Sequence, residues 1–194
     1  AMTRQTCFED AIANSRTSMD ALPSVISSIP AYTNESFILS EYSANQFQGL
    51  PSILKEAGYY SAFFHGANNG SMRFDAFTSA AGFDAYYGRN EYPNPSHFDG
   101  NWGIEDHHML SFAVDEMNRF KKPFFSMIFT LSSHHPYTIP TSFKSRVKHG
   151  PEPLCATISY VDLALKEFWE KAKKQAWFKN TLFVFCADHV GPTK

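Results

Sequence analysis

Residues 105–131 read EDHHMLSFAVDEMNRFKKPFFSMIFTL, and this stretch decides the fold. Met109, Phe112, Ala113, Met117 and Phe120 recur at the spacing of one helix face, so an amphipathic helix is predicted over 105–121. Pro123 stops it, because its ring fixes φ and it offers no N–H. PFFSMIFTL (123–131) then runs nearly all apolar, the pattern of a strand covered on both faces of a parallel sheet. The same order appears upstream, where Leu50, Ile53 and Leu54 mark a helix over 48–57 closed by Gly58, followed by the strand YYSAFFHG. It appears again downstream: Ile158, Val161, Leu165 and Phe168 lie on one face of a helix over 155–175, and TLFVFCA (181–187) reads as a third apolar strand. A short helix within 16–28, with Pro23 inside and closed before Pro30, precedes them all. Three helix-to-strand units predict an α/β fold, a largely parallel sheet with helices on both faces, in one domain spanning 1–194. The segments 66–104 and 134–154 read as long substrate-facing loops.

Composition narrows the partners. The 194 residues are 43% apolar, 16% aromatic and 19% charged, enough for a packed core and incompatible with a disordered or collagen-like chain. The net charge of −2, with no basic cluster, argues against nucleic acid, which demands concentrated Lys and Arg. Nineteen Phe and nine Tyr suit a core with an aromatic-lined cleft. Cys7, Cys155 and Cys186 show neither metal-ligand spacing nor a disulfide framework. No apolar run approaches the roughly 20 residues of a membrane helix, and the N-terminus carries no signal-peptide pattern. Ala1-Met2 reads as a cloning remnant, so the chain is expected to be a piece of something larger.

In a parallel sheet the ligand crevice lies at the carboxyl ends of the strands. All three predicted strands lead into a histidine there: His65 after the first, His134 after the second, His189 after the third. Asp188-His189 pairs a hard oxygen ligand with an imidazole, which suits a divalent cation; the alternative is that Asp188 caps a turn while His189 packs. Thr17-Ser18 places a hydroxyl at a helix start, where free N–H groups and the dipole favour a phosphate or sulfate ester. Thr17-x-x-Asp20 equally fits an ordinary capping box. Arg16 beside it, and Arg73 in the loop after His65, are candidates to hold an anionic oxygen. Asp106 is read as a cap, and His107 and His108 as structural or solvated.

The segments Asn14-Ser-Arg-Thr-Ser18 with ALPSVISSIP, FFHG with Gly82-Phe-Asp84, TLSSHHPYT and CADHVG, in that order, resemble the catalytic domain of lipoteichoic acid synthases. Those enzymes belong with phosphoglycerol transferases and sulfatases in the alkaline phosphatase-like superfamily. The resemblance implies a three-layer sandwich, here truncated at both ends. It implies Thr17 as a metal-bound nucleophile, with Asp188 and His189 as further metal ligands. His65, His134, Arg73 and Arg16 are implied on the substrate side. The implied metal is Mn²⁺ or Mg²⁺, with Zn²⁺ the alternative. The implied reaction is transfer of a phosphoglycerol-type or phosphoethanolamine-type group through a covalent threonine intermediate, in cell-envelope polymer or glycolipid modification. A phospholipid or glycolipid head group would be the anionic ester, and the parent protein would be membrane-anchored with this domain outside the cytoplasmic membrane. A sulfatase or phosphodiesterase is the alternative, and a catalytically incomplete fragment or binding module is the other. Three departures stand out. No counterpart of the family's early-strand carboxylate ligand precedes Thr17, the chain stops three residues after Gly191, and Met72-Arg73-Phe74 stands where synthases place Trp-Asn-Arg.

Overall fold

The structure, a computed structural model, describes residues 6–191; the remnant read at Ala1-Met2 lies outside them. The chain forms two compact units, a larger one, Phe47–Phe183, and a smaller one drawn from the segments up to Gln46 and from Val184 onward.

The larger unit is built on a three-stranded parallel sheet in the order β2-β1-β3, with β1 at Tyr60–His65, β2 at Ala85–Tyr87 and β3 at Phe124–Phe129. Its helices are α2 (Leu50–Glu56), α3 (Phe74–Ala80), α4 (Asp106–Met117) and α5 (Pro153–Ala172). Successive side chains of a strand point to opposite faces, and β1 shows what covers each. Tyr60 and Phe64 meet Phe120 and Phe112 beside α4, and Ala62 and Phe64 share a core with Leu110, Ala113, Tyr160 and Ala164 of α4 and α5. Phe63 and His65 face the other way, onto Phe74 of α3. Helices therefore cover both faces, as the α/β reading expects. Gly66, next after β1, lies so close to the 103–104 turn that its carbonyl bonds to Ile104 N at 2.9 Å, and a Cβ on Gly103 would sit 2.5 Å from that same oxygen. Gly82, at φ +100°, faces Ser52 with no room for a side chain.

Two expectations need correction. The segment 66–104 is not one long loop: it contains α3 and β2, which give β1 a parallel neighbour through a short helical crossover. Phe74, Phe77 and Thr78 bury one face of α3, a pattern too short to stand out beside the glycines and asparagines before it. The run 181–187 is not a strand. Phe183 joins a cluster of rings with Trp169, Trp177 and Phe178, but Leu182, Val184 and Phe185 are 87, 78 and 66% exposed. Apolar composition supplies side chains to bury; a strand also requires a neighbouring ladder to take its N–H and C=O groups, and this run pairs with none among the described residues.

The smaller unit contains α1 (Ser18–Ser27), whose Ala21, Leu22, Pro23 and Ile26 are buried. Pro23 is accommodated inside the helix, and the chain leaves it at Ser28, in the left-handed region, two residues before Pro30. The hydroxyl of Ser36 ties the following segment back to the Met19 carbonyl at 2.9 Å.

Candidate functional site

Thr17 occupies the N-cap of α1 and is exposed. Its carbonyl accepts from Asp20 N and Ala21 N at 3.0 Å, but its side chain makes no cap bond; the hydroxyl instead donates to Asp20 Oδ2 at 3.0 Å. The capping-box alternative is thus not the role this hydroxyl plays, and its lone pairs remain available. Ser18, the next residue, is buried and donates to Asp188 Oδ2 at 2.8 Å across 170 positions of sequence. Ser15 Oγ donates to the Asp188 carbonyl. Two serines therefore fasten Asp188 beside Thr17; the sequence pairs Ser18 with Thr17 only as a helix-start hydroxyl, and Ser15 carries no signal of its own.

Asp188 Oδ1 accepts from His189 N at 2.9 Å. His189 Nδ1–H donates to the Val190 carbonyl at 2.8 Å, so Nε2 is the nitrogen left to act as a ligand, 3.4 Å from Asp188 Oδ2. A lone-pair nitrogen facing a carboxylate oxygen, with an uncapped hydroxyl on the neighbouring segment, is chemistry that a hard or borderline cation satisfies. The residues present fit a metal. Arg16 is exposed at the same helix start.

The other candidates lie in the larger unit. Register pairs His65 with Phe129, so β1 and β3 end at one edge of the sheet, as expected, and His134 follows five residues beyond. His65 itself is 0% exposed, wedged between Phe63, Phe74 and Phe129, with Nδ1 2.9 Å from the Tyr86 hydroxyl and no partner at Nε2. Burial drives its pKa down to about 4, against a smaller upward pull from Asp75, so the ring is neutral at physiological pH. A wholly buried ring touches no substrate in this conformation.

His134 is half-buried in a cleft lined by Asp99, Asn101, Trp102, Glu105 and Ser132. Its Nδ1–H donates to the Leu131 carbonyl at 2.9 Å, fixing Nε2 as the lone-pair nitrogen, and its ring lies 4.8 Å from that of Trp102. Trp102 is held in turn by its Nε1–H on the His135 carbonyl at 2.6 Å. Asp106, read as a cap, does different work: fully buried, it accepts from Leu131 N at 2.8 Å and Ser132 N at 3.0 Å, pinning the loop that carries His134 to the start of α4. Arg73 is exposed at the N-cap of α3; it and Met72 both adopt the left-handed region, at φ 54° and 55°. Two consecutive non-glycine residues there carry strain of the sort that collects at functional sites. No hydrogen bond joins His65, Arg73 and His134 to one another among the described residues.

A parallel α/β sheet with polar groups gathered at its strand ends defines a class of enzyme-like folds, and comparison places the chain within it. The sulfatase family model matches residues 1–194, and the chain belongs to that family. Lipoteichoic acid synthase-like YvgJ of Bacillus subtilis is 27% identical over 154 residues, covering 77% of this chain and 25% of the relative. Phosphoglycerol transferase I of Escherichia coli is 30% identical over 151 residues, covering 73% and 20%. Among solved structures, an alkaline phosphatase superfamily protein from Vibrio parahaemolyticus superposes with TM-score 0.76 at 28% identity, over 86% of this chain and 41% of that one. The lipoteichoic acid synthase LtaP of Listeria monocytogenes superposes at 0.72 and 22% identity, over 83% and 41%, a likeness of fold. The chain thus spans about a quarter or less of the curated relatives' length, and under half of the solved domains. The family is one of phosphotransferases and ester hydrolases, and the expected alkaline phosphatase-like architecture holds. No described helix is long and apolar enough to cross a membrane.

Proposed function

We propose that this polypeptide, residues 1–194, is part of a catalytic domain that transfers a phosphoglycerol-type group in the cell envelope, with Thr17 as the nucleophile. The relatives named as phosphoglycerol transferase and lipoteichoic acid synthase support the group transferred, and the resemblance of the sequence motifs to that family is the ground for a parent protein working at the outer face of a membrane on a lipid-borne ester. The observation that carries the assignment of roles is the bond from Ser18 Oγ to Asp188 Oδ2. It brings the Asp188-His189 pair to the residue beside Thr17, and helix-start geometry alone would not do so.

Thr17 Oγ1 would be the reacting oxygen and, with Asp188 and His189 Nε2, would hold the metal, with Mn²⁺ or Mg²⁺ favoured by the oxygen-rich set. When bound, the metal lowers the pKa of a hydroxyl and neutralises charge on the ester oxygens. The hydroxyl proton already points at Asp20 Oδ2, which would hold it as Oγ1 attacks phosphorus and the lipid alkoxide leaves. The N-terminus of α1 and Arg16 would receive the anionic oxygens. His134, through its free Nε2, and Arg73 are assigned to the substrate side, and His65 to shaping the strand end from within the core.

The decisive experiment uses the full-length protein with Mn²⁺, a phospholipid donor and a glycolipid acceptor. Thr17→Ala is expected to reduce turnover by on the order of 10³-fold or more with the fold intact; retained turnover would overturn the nucleophile. Release from a chromogenic phosphodiester or an aryl sulfate without any acceptor would instead favour the hydrolase reading.

A further inference from the structure

The larger unit also carries a group with the chemistry of a metal centre. Glu105, His107 and His108, at the start of α4, bring one ligand atom each to within 4.8 Å of one another. His107 Nε2 and His108 Nε2 lie 4.0 and 3.7 Å from the same atom, Glu105 Oε2. Ligand bonds of about 2 Å at tetrahedral angles separate donors by roughly 3.3–3.5 Å, so each histidine must approach Glu105 by only about half an ångström. We propose that Glu105, His107 and His108 bind a nitrogen-preferring divalent ion, Zn²⁺ being the best match, through two imidazoles and one carboxylate.

The surroundings orient these ligands. The Tyr160 hydroxyl, fully buried, lies 2.8 Å from His107 Nδ1 and also accepts from His107 N at 3.1 Å. With the Nδ1 proton on that oxygen, Nε2 is bare and turned to the carboxylate, the outer-shell arrangement that fixes a ligating histidine. His108 stacks on His97 with ring centroids 3.4 Å apart and planes 5° from parallel. His97 is itself held at both nitrogens, by the Tyr92 hydroxyl at 2.6 Å and Asn94 at 3.0 Å, and so serves as a fixed platform rather than a ligand. A cation at a helix start opposes the dipole, and the Glu105 carboxylate supplies the compensating charge. Glu105 also lines the His134 cleft.

The test measures metal binding without reference to turnover, so its outcome is independent of the role assigned to Thr17. Zn²⁺ alone is titrated, against a competing chelator, into the full chain carrying Asp188→Asn and His189→Ala, with thermal melting read alongside. One equivalent of Zn²⁺ is expected to bind and raise the melting temperature, with Mn²⁺ binding more weakly. His108→Ala or Glu105→Gln added to that background should abolish both effects, and Tyr160→Phe should weaken binding by roughly 10–100-fold. Far-UV circular dichroism verifies each fold, and Glu105→Gln, at a half-buried loop position, keeps the test open if a histidine variant does not fold. X-ray absorption showing two imidazoles and one carboxylate oxygen would support the site. No stoichiometric Zn²⁺ binding, or binding unchanged in both His108→Ala and Glu105→Gln, would overturn it.

Discussion

Tyr60–His65 and residues 181–187 each carry two phenylalanines and an alanine and both read as apolar strands, yet Phe63 and Phe64 are completely buried whereas Leu182, Val184 and Phe185 stand mostly in solvent. The difference is one of neighbours. β1 has a hydrogen-bonded strand on each side and a helix layer on each face. The later run has no strand beside it among the described residues, and only Phe183 finds a ring cluster to enter. β3 falls between: paired along one edge, its six residues are each half-buried. A hydrophobic run therefore has the capacity to be a core strand, and pairing decides whether that capacity is used.

The sharpest way to break this contrast is to cut into β1. Phe64 stacks on Tyr87 at 4.7 Å and meets Phe112 edge-on, so Phe64→Ala leaves a cavity between sheet and α4. A loss of about 3–5 kcal/mol is expected in urea unfolding. A loss below about 1 kcal/mol would show that β1 is not the centre of the core.

His65 tests the same strand through pH. Its folded pKa of about 4 lies below the ordinary 6.5, so between those values the unfolded chain binds the proton that the folded one refuses. The stability this contributes is complete above the unfolded pKa and is lost as pH falls through the window towards about 4, a total of about 3 kcal/mol. Urea midpoints of the parent chain should therefore fall on acidification more steeply than those of His65→Leu. Parallel pH profiles for the two would mean that the ring is reached by water and is not sealed in the core.

Much of this was legible beforehand. Helix-period spacing gave α2, α4 and α5, and the unbroken apolar runs gave β1 and β3, because those signals are local. β2 was hidden, since three residues carry no period, and α3 follows two left-handed residues that no pattern announces. At the site, Thr17, Asp188 and His189 were readable by residue type, but the hold of Ser15 and Ser18 on Asp188 spans 173 and 170 positions and has no local signature. The same limit made Asp106 look like a cap, when its carboxylate serves the backbone of Leu131 and Ser132. His107 and His108 read as structural because Tyr160, which orients one of them, is 53 residues away.

The smallest effect is expected where the apolar run is exposed. Phe185 is 66% in solvent, so Phe185→Asn removes little buried surface and should change the urea midpoint by no more than about 0.5 kcal/mol equivalent. Phe183→Asn, two residues earlier, takes a ring out of the cluster with Phe168, Trp169 and Phe178 and should cost distinctly more. The pair isolates the rule drawn from β1, since both positions share one sequence run and differ only in what lies against them. Equal costs at Phe183 and Phe185 would mean that the run is engaged along its whole length in solution, as a strand would be.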